Sequence, residues 1–227
     1  MRNTNSLRNE NHLHNQPIKE LSFSGKLEYF WQHYKIHTMT TVFLACVFGI
    51  LLHPVIHQKE TVLSIAFINA FPNVEDEVII RDFEKHLQLN SERQQVLLDS
   101  TYYIDNTSTS PYAENYSQMF SANATAGKFD VVLADTANFN YYGNQGFFQD
   151  LTTILSEEEL EKYQERLYYI DFPNDESSLK VPIGIKINHF NKICKTSCYP
   201  NMDAYFGVMA GSKRIDKALH YLDYLEE

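Results

Sequence analysis

The sequence predicts an α/β fold class: a single lobe with a mostly parallel sheet flanked by helices, preceded by one transmembrane helix. Three observations predict it. Short β-branched runs alternate with helical stretches between residues 60 and 227, with short connections. The 23 residues from Ile36 to Gln58 include no Lys, Arg, Asp or Glu. Charge also changes sign across that stretch: residues 1–59 carry six Lys+Arg against three Asp+Glu, whereas residues 60–227 carry 13 against 26.

Composition sets the outer limits. A chain of 227 residues, 44% hydrophobic and 14% aromatic, holds one domain of ordinary size plus an appendage, and is too apolar to be disordered throughout. A net charge of −10 argues against a nucleic-acid partner, because phosphate contact needs a basic surface. Three cysteines are too few for a disulfide scaffold. The expected division is therefore a cytoplasmic tail and juxtamembrane segment at 1–35, a transmembrane helix at 36–58, and an extracytoplasmic lobe at 60–227.

Residues 1–25 are rich in Asn, Ser and His, lack apolar periodicity, and read as a flexible tail. The span that follows is unbroken apolar from Val42 to Leu52. As a helix, its 23 residues reach about 35 Å, enough for a hydrocarbon core of about 30 Å. Tyr29, Phe30, Trp31 and Tyr34 precede it at headgroup level. Lys19, Lys26 and Lys35 lie before the span and Lys59 alone lies close behind it, so the positive-inside rule puts the N-terminus in the cytoplasm. A buried core helix, a cleaved signal peptide and lipid attachment at Cys46 fit less well. The flanks are aromatic, the span starts some 35 residues in, and six apolar residues follow the cysteine. His33/His37 and His53/His57 share a helix face at i, i+4, but no third ligand is evident and no metal is expected.

Beyond the span, Thr61–Phe71 is an almost wholly apolar strand, stopped by Pro72. Asn73 is placed to cap an amphipathic helix over 74–88, with Val74, Val78, Ile79, Phe83 and Leu87 on one face. Gln94–Ile104 is a second strand, Asp105–Pro111 a turn-rich loop, and Tyr112–Thr125 a helix ended by Gly127. Phe129–Asp135 is the clearest strand. Ser156 caps an acidic helix whose apolar face continues through Leu160, Tyr163, Leu167 and Ile170. Leu179–Ile187 is a strand in which Pro182 implies an edge or a bend. Lys192–Asp203 is a polar loop, Tyr205–Met209 a last strand, and Ser212–Glu227 a closing helix.

The stretch Gly127–Leu155 (GKFDVVLADTANFNYYGNQGFFQDLTTIL) resembles the extracellular solute-binding proteins of bacterial ABC importers, with the type-2 periplasmic-binding fold. Val181-Pro182-Ile183-Gly184 is similar to that family's strand passing from the first lobe towards the second, and Tyr205–Leu225 to the returning strand and helix. The resemblance implies a non-enzymatic receptor lobe that binds a small solute or a transporter component. The family spends well over a hundred residues on a second lobe, whereas fewer than twenty separate Ile187 from Tyr205 here. What remains resembles one lobe, to which a second copy or a membrane partner could supply the missing wall. The alternative is a cell-envelope interaction or scaffold protein that has lost ligand binding.

Candidate site residues follow from the fold class. In open α/β sheets ligands sit beyond the carboxyl ends of strands. Those ends are Asn69-Ala70 and Asp135-Thr136, with Phe139, Tyr141 and Tyr142 as aromatic surface beside them. The resemblance implies the same rim. Cys194 and Cys198 fit a disulfide in an oxidising compartment, free thiols, or a metal pair with His189. No phosphate-binding glycine loop, His-Glu-x-x-His or Gly-x-Ser-x-Gly is present, so no catalytic residue and no cofactor are expected.

Overall fold

The computed structural model describes residues 23–56, 58–72, 75–106, 111–171 and 180–227. The expected tail up to residue 22, the Asn73 cap, His57 and the middle of the Asp105–Pro111 loop lie outside the described residues, as do the side chains of His33 and His53. The chain divides into two units, Met1–Gln58 and Lys59–Glu227.

Among the described residues the first unit holds one helix, α1 (Phe23–Ile56), which starts well before the uncharged span. Its segment Tyr34–Leu52 is long and apolar enough to cross a membrane, and none of it is buried among the described residues. Two hydroxyls within it are satisfied inside the helix: Thr40 Oγ1 donates to the Ile36 carbonyl at 2.9 Å and Thr41 Oγ1 to that of His37 at 2.8 Å. Such back-bonding is what a hydroxyl needs where water is absent. Phe30 and Tyr34 stack with ring centroids 5.6 Å apart just ahead of the span.

In the second unit the elements run β1 (Glu60–Ile68), α2 (Asp76–His86), β2 (Gln94–Tyr102), α3 (Pro111–Thr125), β3 (Val131–Asp135) and α4 (Thr136–Gly143). There follow α5 (Glu157–Tyr163), β4 (Leu167–Asp171), β5 (Lys180–Lys186), α6 (Asn191–Thr196), β6 (Ala204–Val208) and α7 (Ile215–Glu226). The six strands form one sheet in the order β2-β1-β3-β6-β5-β4. Only β1 pairs in parallel, with β2 and with β3; the pairs β3–β6, β6–β5 and β5–β4 are antiparallel. The expectation of a mostly parallel sheet is therefore corrected to a mixed one. A parallel neighbour needs a crossover of a dozen or more residues, usually with a helix. Helices α2 and α3 supply such crossovers in the first half. Only residues 172–179 separate β4 from β5, too few for one.

Both faces of the sheet are covered. Leu63, Ile65 and Phe67 of β1 belong to the core shared with α2 and α7, while Ala66 and Ile68 belong to the core shared with α3 and α4. A strand buried on both sides has no polar alternation, which is why β1 reads as a continuous apolar run. Aromatic contacts tie the helices together: Phe83 meets Tyr221 at 4.8 Å on one face, and Phe120 meets Tyr142 at 4.6 Å on the other.

Three local expectations change. Leu167 and Ile170 do not extend the acidic helix, because a 3-10 turn at Gln164–Arg166 ends it and they begin β4. Its start is as read: Ser156 and Glu159 form a reciprocal capping box. Pro182 is neither on an edge strand nor at a strand end; β5 lies between β4 and β6. The ladder is irregular opposite it, between Tyr168 and Tyr169, and pairing with β6 is confined to Ile185 and Lys186, so its missing N–H costs no ladder bond to β6. The loop expected at Lys192–Asp203 begins inside α6, whose Ile193 is buried and whose end is turned by Ser197 at φ 51°.

Candidate functional site

The chain runs from β1 outwards to β2 and then back across β1 to β3, so the connections after β1 and β3 diverge at the carboxyl ends of neighbouring strands. That divergence is where open α/β sheets leave a crevice. Asn69 and Asp135 stand there, and the structure joins them: Asn69 Nδ2 donates to Asp135 Oδ2 at 2.8 Å.

Asn69 sits at φ 55°, a left-handed conformation that Asn tolerates better than most residues. In this pose its backbone N–H reaches the Tyr102 carbonyl at 2.9 Å. Its side chain donates to the Ile104 carbonyl at 2.8 Å and accepts the Ile104 N–H at 2.8 Å. One residue thus closes the ends of β1 and β2 together.

Asp135 caps α4. Its Oδ1 accepts the N–H groups of Ala137 at 2.9 Å and Asn138 at 3.1 Å, and its Oδ2 accepts from Asn138 Nδ2 at 2.7 Å in addition to Asn69. A carboxylate offers about four acceptor positions, and all four are taken by the protein. The network continues from Asn138, buried at 2% exposure, to Asn106 Nδ2 at 2.8 Å. At its far end Ser117 Oγ lies 3.2 Å from the Tyr142 hydroxyl. Burial pushes the Tyr142 phenol above its ordinary range, and the Ser117 bond opposes that rise.

The residues expected at the rim therefore divide. Asn69 and Asp135 are brought together. Thr136 is exposed and donates its N–H to the Asp203 carbonyl at 3.2 Å. Ala70, Phe139 and Tyr142 are fully buried, which corrects their reading as ligand surface. An aromatic residue after a strand has no local mark of which way its ring turns, and here the two rings fill the core beneath α3 and α4. Tyr141 is the one of the three that is exposed, at 44%. Sequence reasoning missed Asn138 and Asn106, which carry the network, and the exposed pair Phe71 and Tyr103, whose rings lie 5.4 Å apart after β1 and β2. The signal available for Phe71 was a large apolar residue just before Pro72 and beyond the strand.

Cys194 and Cys198 are free thiols, so the disulfide alternative is not formed. Cys194 is exposed on α6 with its Sγ donating to the Asn188 carbonyl at 3.2 Å, whereas Cys198 is buried beyond the Ser197 turn, 2.9 Å from Thr196 Oγ1. The turn aims the two sulfurs into different surroundings. Burial raises the Cys198 thiol above its ordinary value. Among the described residues no group of three or more His, Cys, Asp or Glu is placed to hold a metal ion.

With all acceptor positions of Asp135 occupied, the rim acts as a clip that fixes three strand ends. Asp135→Asn sets an amide donor against either two N–H groups or two side-chain amides. The expected result is a loss of about 1–3 kcal/mol in unfolding free energy, measured by urea denaturation. A change within about 0.5 kcal/mol, the range of an ordinary surface substitution, would refute the clip.

Comparison with family models, with curated proteins and with solved structures finds no match to this chain.

Proposed function

We propose that the chain is a single-pass membrane protein whose lobe at residues 60–227 stands outside the cytoplasm as a non-enzymatic binding module of the solute-binding-protein type, reduced to one lobe. The observation that carries this reading is the Tyr34–Leu52 segment of α1, a 19-residue stretch of helix with a mean hydropathy of 1.7, none of it buried among the described residues. An uncovered apolar helix of this length is stable in lipid and costly in water. The charge switch across it supports a cytoplasmic N-terminus and an outer lobe in a cell membrane.

The rim favours a macromolecular partner over a solute. Its carboxylate is fully occupied by the protein, and the rim residues that stay exposed include the aromatic side chains of Phe71, Tyr103 and Tyr141. Aromatic side chains of this kind suit contact with a protein surface, here a membrane transporter component or a second copy of the lobe. A scaffold role without ligand is the alternative within the same geometry.

A membrane-impermeant maleimide is expected to modify the exposed Cys194 in intact cells. In a Cys194→Ser background, Asn5→Cys is expected to react only after permeabilisation. Labelling in the opposite order would reverse the orientation. Recovery of the chain in the aqueous fraction without detergent would overturn the tether itself.

A further inference from the structure

Helix α1 is longer than a bilayer needs. Its 34 residues reach about 51 Å, against a hydrocarbon core of about 30 Å. The uncharged part inside it, Ile36–Ile56, takes up that core, so Phe23–Lys35 adds about 20 Å on the N-terminal side. A headgroup layer accounts for only about 5–7 Å of this, and a tilt of about 20° shortens the whole helix by only about 3 Å. Phe23, Leu27 and Phe30 therefore stand beyond the lipid on an unbroken helix, and all three are exposed. They share one face. Phe23, Leu27, Phe30 and Tyr34 follow at intervals of four, three and four residues, within an arc of about 60° on an ideal helix. Ring contacts run along that face: Phe30 stacks on Tyr34 at 5.6 Å, and Tyr34 meets His37 at 6.4 Å. The same spacing passes through Thr41 into the apolar run Val42–Leu52, so one stripe crosses from water into lipid. Alternation of four and three is the period of a left-handed coil of two helices.

We propose that α1 pairs in parallel with α1 of a second copy along this stripe, from Phe23 outside the lipid to His37 and Thr41 within it. The pairing rests on the single-pass reading above. Lipid covers the stripe beyond His37 but not Phe23, Leu27 and Phe30, and on that reading the lobe lies across the membrane from them. Residues 1–22 lack the apolar periodicity of a covering helix. A partner that meets both parts at once is a helix in the same bilayer, with its apolar seam running out of the lipid at the same level. A second copy inserted the same way has that seam in register. Self-pairing also suits what the stripe carries. The His37 ring is exposed and has no hydrogen-bond partner among the described residues. A neutral imidazole holds one donor and one acceptor, so two copies of it satisfy each other across a two-fold axis. Thr41 already bonds inside its own helix at 2.8 Å. Charge does not oppose the contact, since Phe23–Lys35 holds two lysines against one glutamate. Pairing here holds two lobes close together and raises their effective concentration for each other.

The test uses the purified full chain, in a Cys194→Ser background, reconstituted at low density in phosphatidylcholine–phosphatidylglycerol vesicles. Single cysteines are oxidised with copper phenanthroline, quenched with N-ethylmaleimide and read as dimer on a non-reducing gel. Disulfides form where Cα atoms come within about 7 Å, which a parallel seam grants to the stripe positions. Leu27→Cys, Phe30→Cys and Tyr34→Cys are each expected to give at least about fivefold more dimer than Lys35→Cys or Met39→Cys, which lie off the stripe. The native Cys46, also off the stripe, should give no dimer in the parent. Positions 27 and 30 of oppositely inserted copies cannot meet across a bilayer, so their dimer reports parallel pairs. Leu27→Glu, which puts a charge on the stripe outside the lipid, should abolish the Phe30→Cys dimer while the chain stays in the vesicles. The pairing is overturned if a chain that remains embedded gives no dimer, gives equal dimer on and off the stripe, or keeps its dimer with Leu27→Glu. A chain that separates from the vesicles without detergent overturns the membrane reading first, so the two failures are told apart.

Discussion

Asp130→Ala is expected to lower the unfolding free energy of the lobe by about 2–4 kcal/mol. Asp130 is only 2% exposed and joins three distant pieces of chain. Its Oδ2 accepts the Ser64 N–H of β1 at 2.9 Å, its Oδ1 accepts the Ser212 hydroxyl at 2.8 Å, and Arg214 donates to the same carboxylate at 3.0 Å. Its own backbone extends the sheet: its N–H donates to the Ser64 carbonyl at 2.8 Å, and its carbonyl accepts the Met209 N–H at 2.8 Å. Truncation leaves the Ser64 N–H and the Ser212 hydroxyl without an acceptor, and buried orphans carry the desolvation cost in full. The Arg214 side chain is 40% exposed, so water recovers much of its charge and the figure stays below that for a wholly buried pair. Arg214→Met, which leaves the carboxylate its other two donors, should therefore cost less than Asp130→Ala. Urea denaturation of both variants measures the difference. Equal losses, or a loss under about 1 kcal/mol for Asp130→Ala, would show that the carboxylate is not the clasp.

The second large effect concerns Gly184→Ala, expected to cost about 2–3 kcal/mol through overpacking. A Cβ at Gly184 would stand 2.3 Å from Phe139 Cζ and 3.0 Å from the Phe206 carbonyl oxygen. Gly207 borders the same ring, with a Cβ position 2.8 Å from Phe139 Cε2. Two glycines on neighbouring strands thus leave a slot that Phe139 fills, stacked on Phe148 with centroids 4.3 Å apart. The ring has nowhere to retreat, because Tyr168 closes on its edge at 5.5 Å. Shortening the side chain should relieve the clash. Phe139→Leu is destabilising alone, yet Gly184→Ala should cost clearly less in that background, a coupling that a double-mutant cycle reads directly. Strict additivity of the two substitutions would rule the slot out.

These two sites mark where legibility in the sequence stops. Asp130 lies inside Phe129–Asp135, and its neighbours identify the strand without saying that one carboxylate must reach Ser64 and Arg214. Phe139 follows the same strand end as Asp135, and its position along the chain gives equal support to a rim ring and a core ring. Glycines 184 and 207, which decide between the two, lie far along the chain. At the rim, Asn69 and Asp135 were readable as strand-end residues because strand ends follow from β-branched runs and a following Pro or helix. Their hydrogen bond was not, since it depends on β3 returning beside β1.

The amino-acid order alone determined an uncharged helix long enough for a bilayer, the charge reversal across it, and strands β1 and β3 with helices α2 and α7 around them. All of these depend on local periodicity and on charge, which neighbours in sequence carry. Tertiary structure alone decided the mixed pairing of the sheet, the inward turn of Phe139 and Tyr142, and the full occupation of Asp135. Each of those is a matter of which groups meet across space, and hydrogen bonds and packing are satisfied between residues that chain order keeps far apart.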